Sequence, residues 1–192
     1  AEHHPEVDTG EHLMLVLQQA ALAGASLPVR FACLCHDLGK GTTPAADWPR
    51  HIGHEQRSAA LARTVARRWK VPADCTALAD VVAREHGNIH RSADFGADAV
   101  LRLLERCDAL RRPQRFAEVL LACECDARGR TGLEGRAYPQ RQRLSAALAA
   151  TLAAPVQAVA EAATAAGLKG PAIGERIQVA RTAAIAVALG GR

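Results

Sequence analysis

Aromatic residues are scarce in this 192-residue chain, at 3%: two Trp, one Tyr and three Phe. That argues against a β-sandwich rich in Tyr and Trp, and it leaves few rings on which single-stranded bases could stack. No apolar run reaches the roughly 18 residues of a membrane-spanning helix, and no charged-then-apolar leader is seen, so neither a membrane nor secretion is expected. The six cysteines form no CxxC, and the pairs Cys33/Cys35 and Cys123/Cys125 sit two apart, a spacing that diverges on a helix. They read as small reduced core residues of a cytoplasmic protein. The first residues, AEHHPEVDTGEH, carry no Met and read as a piece cut from a longer chain.

What is abundant is Ala and Leu, within a hydrophobic content of 49%. Strong helix formers with few rings predict closely packed helices, so the expected class is all-α. A formal net charge of +4 suits a phosphate-bearing substrate without marking a general polyanion binder.

Along the chain, a first helix is expected from Thr9. A second, opened by Ser26-Leu27-Pro28, should run to Gly39. Residues 40 to 52, with two prolines, two threonines and a glycine, read as a loop. Further helices are expected at 53–69, 73–86, 97–111 and 113–127, then, after a Gly/Arg-mixed stretch, at 141–153, 155–166 and 174–189. A soft boundary near 130–138 divides a bundle over about 7–130 from a helical tail over about 138–190.

Each histidine taken alone reads as structural or solvated. As a set, His12, His36-Asp37, His54, His86 and Asp108 lie on or beside five successive expected helices, and a bundle can converge such side chains on one point. His12, His36, Asp37 and Asp108 form the expected metal set. Its mixed nitrogen and oxygen donors suit Mg²⁺ or a first-row divalent ion such as Mn²⁺, Co²⁺ or Ni²⁺. Water on such an ion loses a proton near neutral pH. His54 and His86 should line the open side. Lys40 either binds substrate phosphate or caps a helix dipole. Glu124 and Asp126, two apart, should diverge on their helix. His3 and His4 are expected to lie in an unstructured start.

The stretches LCHDLGKG, GHEQRSA and CDALRRPQR resemble the HD-domain metal-dependent phosphohydrolases. More narrowly, HDLGKGTTP, WPRHIGHE, DALRRPQRF and CECDARGRTG resemble the C-terminal HD half of the bacterial multifunctional CCA proteins, over about residues 7 to 190. The resemblance implies a helical HD bundle with 2',3'-cyclic phosphodiesterase, 2'-nucleotidase and phosphatase activities in tRNA repair. It implies catalytic roles for His36, Asp37, Lys40, His54 and His86, and leaves His51 as a loop residue or substrate contact. Implied partners are tRNA, 2',3'-cyclic and 2'-nucleotides, and an N-terminal nucleotidyltransferase domain that is not in this sequence. Arg128 and Arg130 then either contact the tRNA backbone or hold their loop through ion pairs, and Asp126 is structural or tRNA-facing. One departure is Gly87, where the family tends to carry Asp after the histidine. A second reading is a catalytically vestigial module for tRNA binding or homodimerisation.

Overall fold

The computed structural model describes residues 9–190. Its α-helices are α1 (Thr9–Leu22), α2 (Leu27–Cys35), α3 (His54–Trp69), α4 (Ala73–His90), α5 (Ala97–Arg106), α6 (Pro113–Arg128), α7 (Pro139–Ala153), α8 (Val156–Ala165) and α9 (Pro171–Ala188). No strand occurs among the described residues, so the expected all-α class holds. No single helix among them is long and apolar enough to cross a membrane.

The chain divides into two compact units, one of Ala1–His90 with Gln114–Arg141, the other of Arg91–Pro113 with Gln142–Arg192. This grouping puts α5 with the tail helices.

In the first unit α4 packs on α2 and α3, and α1 packs on α2. Ala32, Ala59, Ala62, Ala79 and Ala83 are fully buried, small enough to let helices approach closely, while Leu78, Ile89, Phe116 and Leu120 fill the volume between. In the second unit α9 packs on α5 and α8. Val100, Leu103, Leu104 and Ile185 are buried there, and Gln178 donates to Glu105 at 2.6 Å.

The ends of the second, fourth and fifth helices depart most from the sequence expectation, two of them at the site. The second helix stops at Cys35 rather than Gly39, and a 3-10 turn over Leu38–Thr42 follows, packed on α3. Gly39 makes this possible. A Cβ there would lie 2.2 Å from the His54 carbonyl oxygen and 2.7 Å from the Ser58 nitrogen, and the Gly39 N–H donates to Ser58 Oγ at 2.8 Å. The fourth helix runs a turn beyond His86 to His90, straight through Gly87. Gly in a helix interior costs about 1 kcal/mol relative to Ala, and burial of Ile89 outweighs it. The fifth helix ends at Arg106 rather than near 111, since Asp108 takes a left-handed φ of 55°.

Candidate metal centre

Helix α1 sets His12, Val16 and Ala20 on one buried stripe, so an imidazole heads an apolar face. Helix α6 does the same with a carboxylate, since Phe116, Val119, Cys123 and Asp126 recur at helical spacing and all are buried. His36 and Asp37 directly follow the end of α2 at Cys35, α3 begins at His54, and His86 and His90 lie one turn apart on α4. All of these belong to the first unit.

Two trios result. In the first, one ligand atom each from His12, His36 and Asp126 lies within 4.8 Å of the others, and all three residues are buried. In the second, Asp37, His54 and His86 meet the same limit. The trios join at His36, whose Nε2 is 3.5 Å from Asp126 Oδ1 and 3.3 Å from Asp37 Oδ2. The other Asp37 oxygen, Oδ1, is 3.3 Å from His54 Nε2 and 3.5 Å from His86 Nε2.

The ring orientations share one cause. Nδ1 of His12 donates to the Gly129 carbonyl at 2.8 Å, that of His36 to Cys33 at 2.8 Å, that of His54 to His51 at 2.8 Å, and that of His86 to Val82 at 3.1 Å. A backbone carbonyl only accepts, so in each neutral ring the proton stays on Nδ1 and the Nε2 lone pair faces the carboxylates. Lone pairs facing carboxylate oxygens need a cation between them, either a proton or a metal ion. Nε2 of His36 and His54 and Oδ1 of Asp37 are buried without a hydrogen-bond partner, which would cost several kcal/mol if left so. The donor set therefore fits a divalent ion, by its nitrogen and oxygen chemistry and by its orphaned atoms.

The electrostatics agree. Burial alone would raise the Asp126 and Asp37 carboxyls, but His36 beside both holds them well below the usual carboxylate range. Burial would likewise lower His36 and His54. The neighbouring carboxylates outweigh it and raise both imidazoles, His36 through Asp37 and Asp126, His54 through Asp37.

Around the trios, Lys40 Nζ reaches Asp37 Oδ2 at 2.6 Å. His51 bonds Thr43 Oγ1 at 2.9 Å and belongs to neither trio. Gly87 leaves ordinary van der Waals space beside Glu55. His3 and His4 lie outside the described residues. Asp108, the expected fourth ligand, also belongs to neither trio. Its carboxylate engages Arg111 at 2.5 Å and Arg112 at 3.4 Å in the turn after α5. The carboxylate that joins His12 and His36 is Asp126, which the sequence reading left outside the site. Glu124 does diverge from it, pairing with Arg128 at 2.9 Å and Arg141 at 2.5 Å. Arg130 Nη2 lies 3.9 Å from Asp126 Oδ1.

The HD domain family matches residues 9–130, a span that holds both trios. The chain belongs to the HD-domain family. As HD domains bind divalent metals, the two trios are groups of the kind that could hold them, and membership supports metal-dependent phosphohydrolase chemistry. Among curated proteins, the chain is 64% identical over 185 residues to the Multifunctional CCA protein of Polaromonas naphthalenivorans, covering 96% of this chain and 44% of that protein. It is 63% identical over 185 residues to that of Acidovorax sp. strain JS42, covering 96% and 44%. To the Multifunctional CCA protein of Cupriavidus necator it is 60% identical over 191 residues, covering 100% and 46%. The HD-domain chain thus spans less than half the length of these relatives and corresponds to their C-terminal part. No solved structure gives a significant match.

Proposed function

We propose that this HD domain hydrolyses 2',3'-cyclic phosphates and 2'-phosphates of nucleotides or tRNA 3' ends, as the phosphohydrolase half of a CCA-adding tRNA repair protein joined to an N-terminal nucleotidyltransferase domain. The observation that supports this best is the pair of trios joined through the adjacent residues His36 and Asp37, with four imidazole Nε2 atoms turned toward the buried carboxylate of Asp126 and the half-buried one of Asp37. A tRNA-binding or homodimerising module would need the bundle but not this inward set of polar groups. Six buried free cysteines fit a reducing, cytoplasmic setting.

His12, His36, Asp37 and Asp126 would hold the ion, with His54 and His86 flanking it. A divalent ion there supplies Lewis acidity toward a phosphoryl oxygen and toward water. The protein's own groups do the rest. Lys40, paired with Asp37, is placed to counter charge on a substrate phosphate. The His54 side chain is 17% exposed against 1% for His36, so His54 is the imidazole that incoming substrate meets first. Its Nδ1 proton is held by the His51 carbonyl, and proximity to Asp37 favours a second proton on Nε2. That proton goes to the leaving oxygen, with His86 in reach of the same carboxylate. Arg128 and Arg130 are proposed as contacts to the tRNA backbone.

The test is hydrolysis of a 2',3'-cyclic nucleotide and a 2'-nucleotide by purified protein, with chelator and after restoring Mg²⁺, Mn²⁺, Co²⁺ or Ni²⁺. Activity that chelation removes and one of these ions restores is expected. Absence of activity with every ion, with tRNA binding intact in Asp37→Ala, would favour the vestigial module.

A further inference from the structure

Beside the trios lies a cleft of about 310 Å³ lined by His90, Arg130, Arg136, Tyr138 and Gln140, all within the first unit. It shares a wall with the metal centre. His90 Nε2 donates to Asp126 Oδ2 at 2.7 Å, and Arg130, on the same lining, approaches the other Asp126 oxygen. Among the described residues its lining includes two arginines and neither Asp nor Glu, the Asp126 carboxylate lying behind Arg130. Arg128 is held by Glu124 and by the Arg136 carbonyl, and lines a different cleft with Gln19 and Arg141.

Each wall of the cleft has a chemistry. The guanidinium fork matches phosphate oxygens in pairs, and two of them make a strong anion subsite. The Tyr138 hydroxyl bonds His90 Nδ1 at 2.8 Å, so that oxygen serves the protein and the ring remains as a surface. Gln140 donates to the His90 carbonyl at 2.9 Å, while its Oε1 is buried without a hydrogen-bond partner. Such an acceptor suits a ribose hydroxyl. The volume lies at the low end for small-ligand sites and admits about one nucleotide, not a duplex.

We infer that this cleft binds the penultimate nucleotide of an RNA 3' end, with Arg130 and Arg136 gripping the phosphodiester that links it to the terminal residue. The inference rests on the reading above that the terminal phosphate reacts at the trios. It deepens that reading: the site is built for the end of a chain rather than for a free mononucleotide, and two of its determinants are Arg136 and Gln140.

The experiment compares adenosine 2'-phosphate with the dinucleotide ApA bearing the same terminal 2'-phosphate. Binding is measured calorimetrically on chelator-treated protein, so that no turnover intervenes, and kcat/KM is measured separately after metal is restored. The dinucleotide should bind about tenfold more tightly, the scale of one charge-assisted contact. Arg136→Ala should bring that ratio close to one, and Arg130→Gln should move it the same way. A 2'-deoxy penultimate sugar should lose part of the gain, and Gln140→Leu should abolish that difference. Equal binding of the two ligands, no measurable binding of the dinucleotide, or a ratio that survives both arginine variants overturns the inference. If neither ligand is hydrolysed with any metal yet the ratio depends on Arg136, the cleft stands and the proposed reaction falls. If both are hydrolysed with equal kcat/KM and bound equally, the reaction stands and the cleft assignment falls.

Discussion

His90 Nε2 donates to Asp126 Oδ2 at 2.7 Å, and this bond decides what the other carboxylate oxygen does. With Oδ2 engaged, Oδ1 is the atom presented to His12 at 3.1 Å and to His36 at 3.5 Å. The Tyr138 hydroxyl, on the far side of the His90 ring, donates to Nδ1 and keeps the proton on Nε2. His90→Ala is expected to weaken metal affinity about 10–100-fold, with Tyr138→Phe acting in the same direction but less. Calorimetric titration with Mn²⁺ or Co²⁺ into chelator-treated protein reads this. Unchanged affinity in His90→Ala would remove the positioning role.

The choice between Asp126 and Asp108 is equally direct. Asp126→Asn should lower metal affinity by more than the roughly 10–100-fold of an outer partner, because it removes a ligand atom itself. Asp108→Asn should leave metal content as it is, since its carboxylate serves Arg111 and Arg112. Elemental analysis of the two purified variants separates these outcomes.

Gly39 offers a backbone test. Gly39→Ala should destabilise by about 1–3 kcal/mol, the cost of overpacking, and lower the melting temperature by about 2–4 °C per kcal/mol. Gly41→Ala, where a Cβ meets nothing within 4 Å, should stay within about 0.5 kcal/mol. Turnover should fall in the first variant, because the turn that would shift carries Asp37 and Lys40. Thermal denaturation of the pair, alongside cyclic phosphate hydrolysis, checks both.

The six cysteines predict chemical silence. All are buried, the Cys35 thiol is pushed up to about 12 by burial, and Cys33 is raised by its hydrogen bond with Cys125 and by burial; Cys125 is lowered by that same bond, and it is burial that shields it from reagent. Native protein at pH 8 should therefore show no fast-reacting thiol toward an aromatic disulfide reagent, and six after denaturation. A rapid native reaction would contradict the packing around α2 and α6.

Much of the site could be read from residue patterns. His12 heads the stripe 12, 16, 20, and the His36-Asp37 pair ends an apolar helix beside a loop. Asp126 was equally visible in principle, as a carboxylate on the apolar face 116, 119, 123, 126. Its two-residue offset from Glu124 shows that the two diverge, not which of them faces His12 and His36. His90 was hidden by Gly87, which looks like a helix stop until tertiary burial of Ile89 is known. The grouping of α5 with α9 rests on contacts far apart in sequence, such as Gln178 with Glu105, which no local pattern carries.

The bond between His12 and the Gly129 carbonyl spans 117 positions of the chain. A Cβ at Gly129 would lie 2.5 Å from Val16 Cγ2, so the two ends of the first unit meet at a glycine. During synthesis at about 5–20 residues per second, several seconds separate the emergence of His12 from that of its partner. For most of that interval the growing polypeptide carries the His36-Asp37 pair without Asp126. A nascent chain consequently carries the signature residues but not the assembled trio of His12, His36 and Asp126, which forms only when α6 closes against α1.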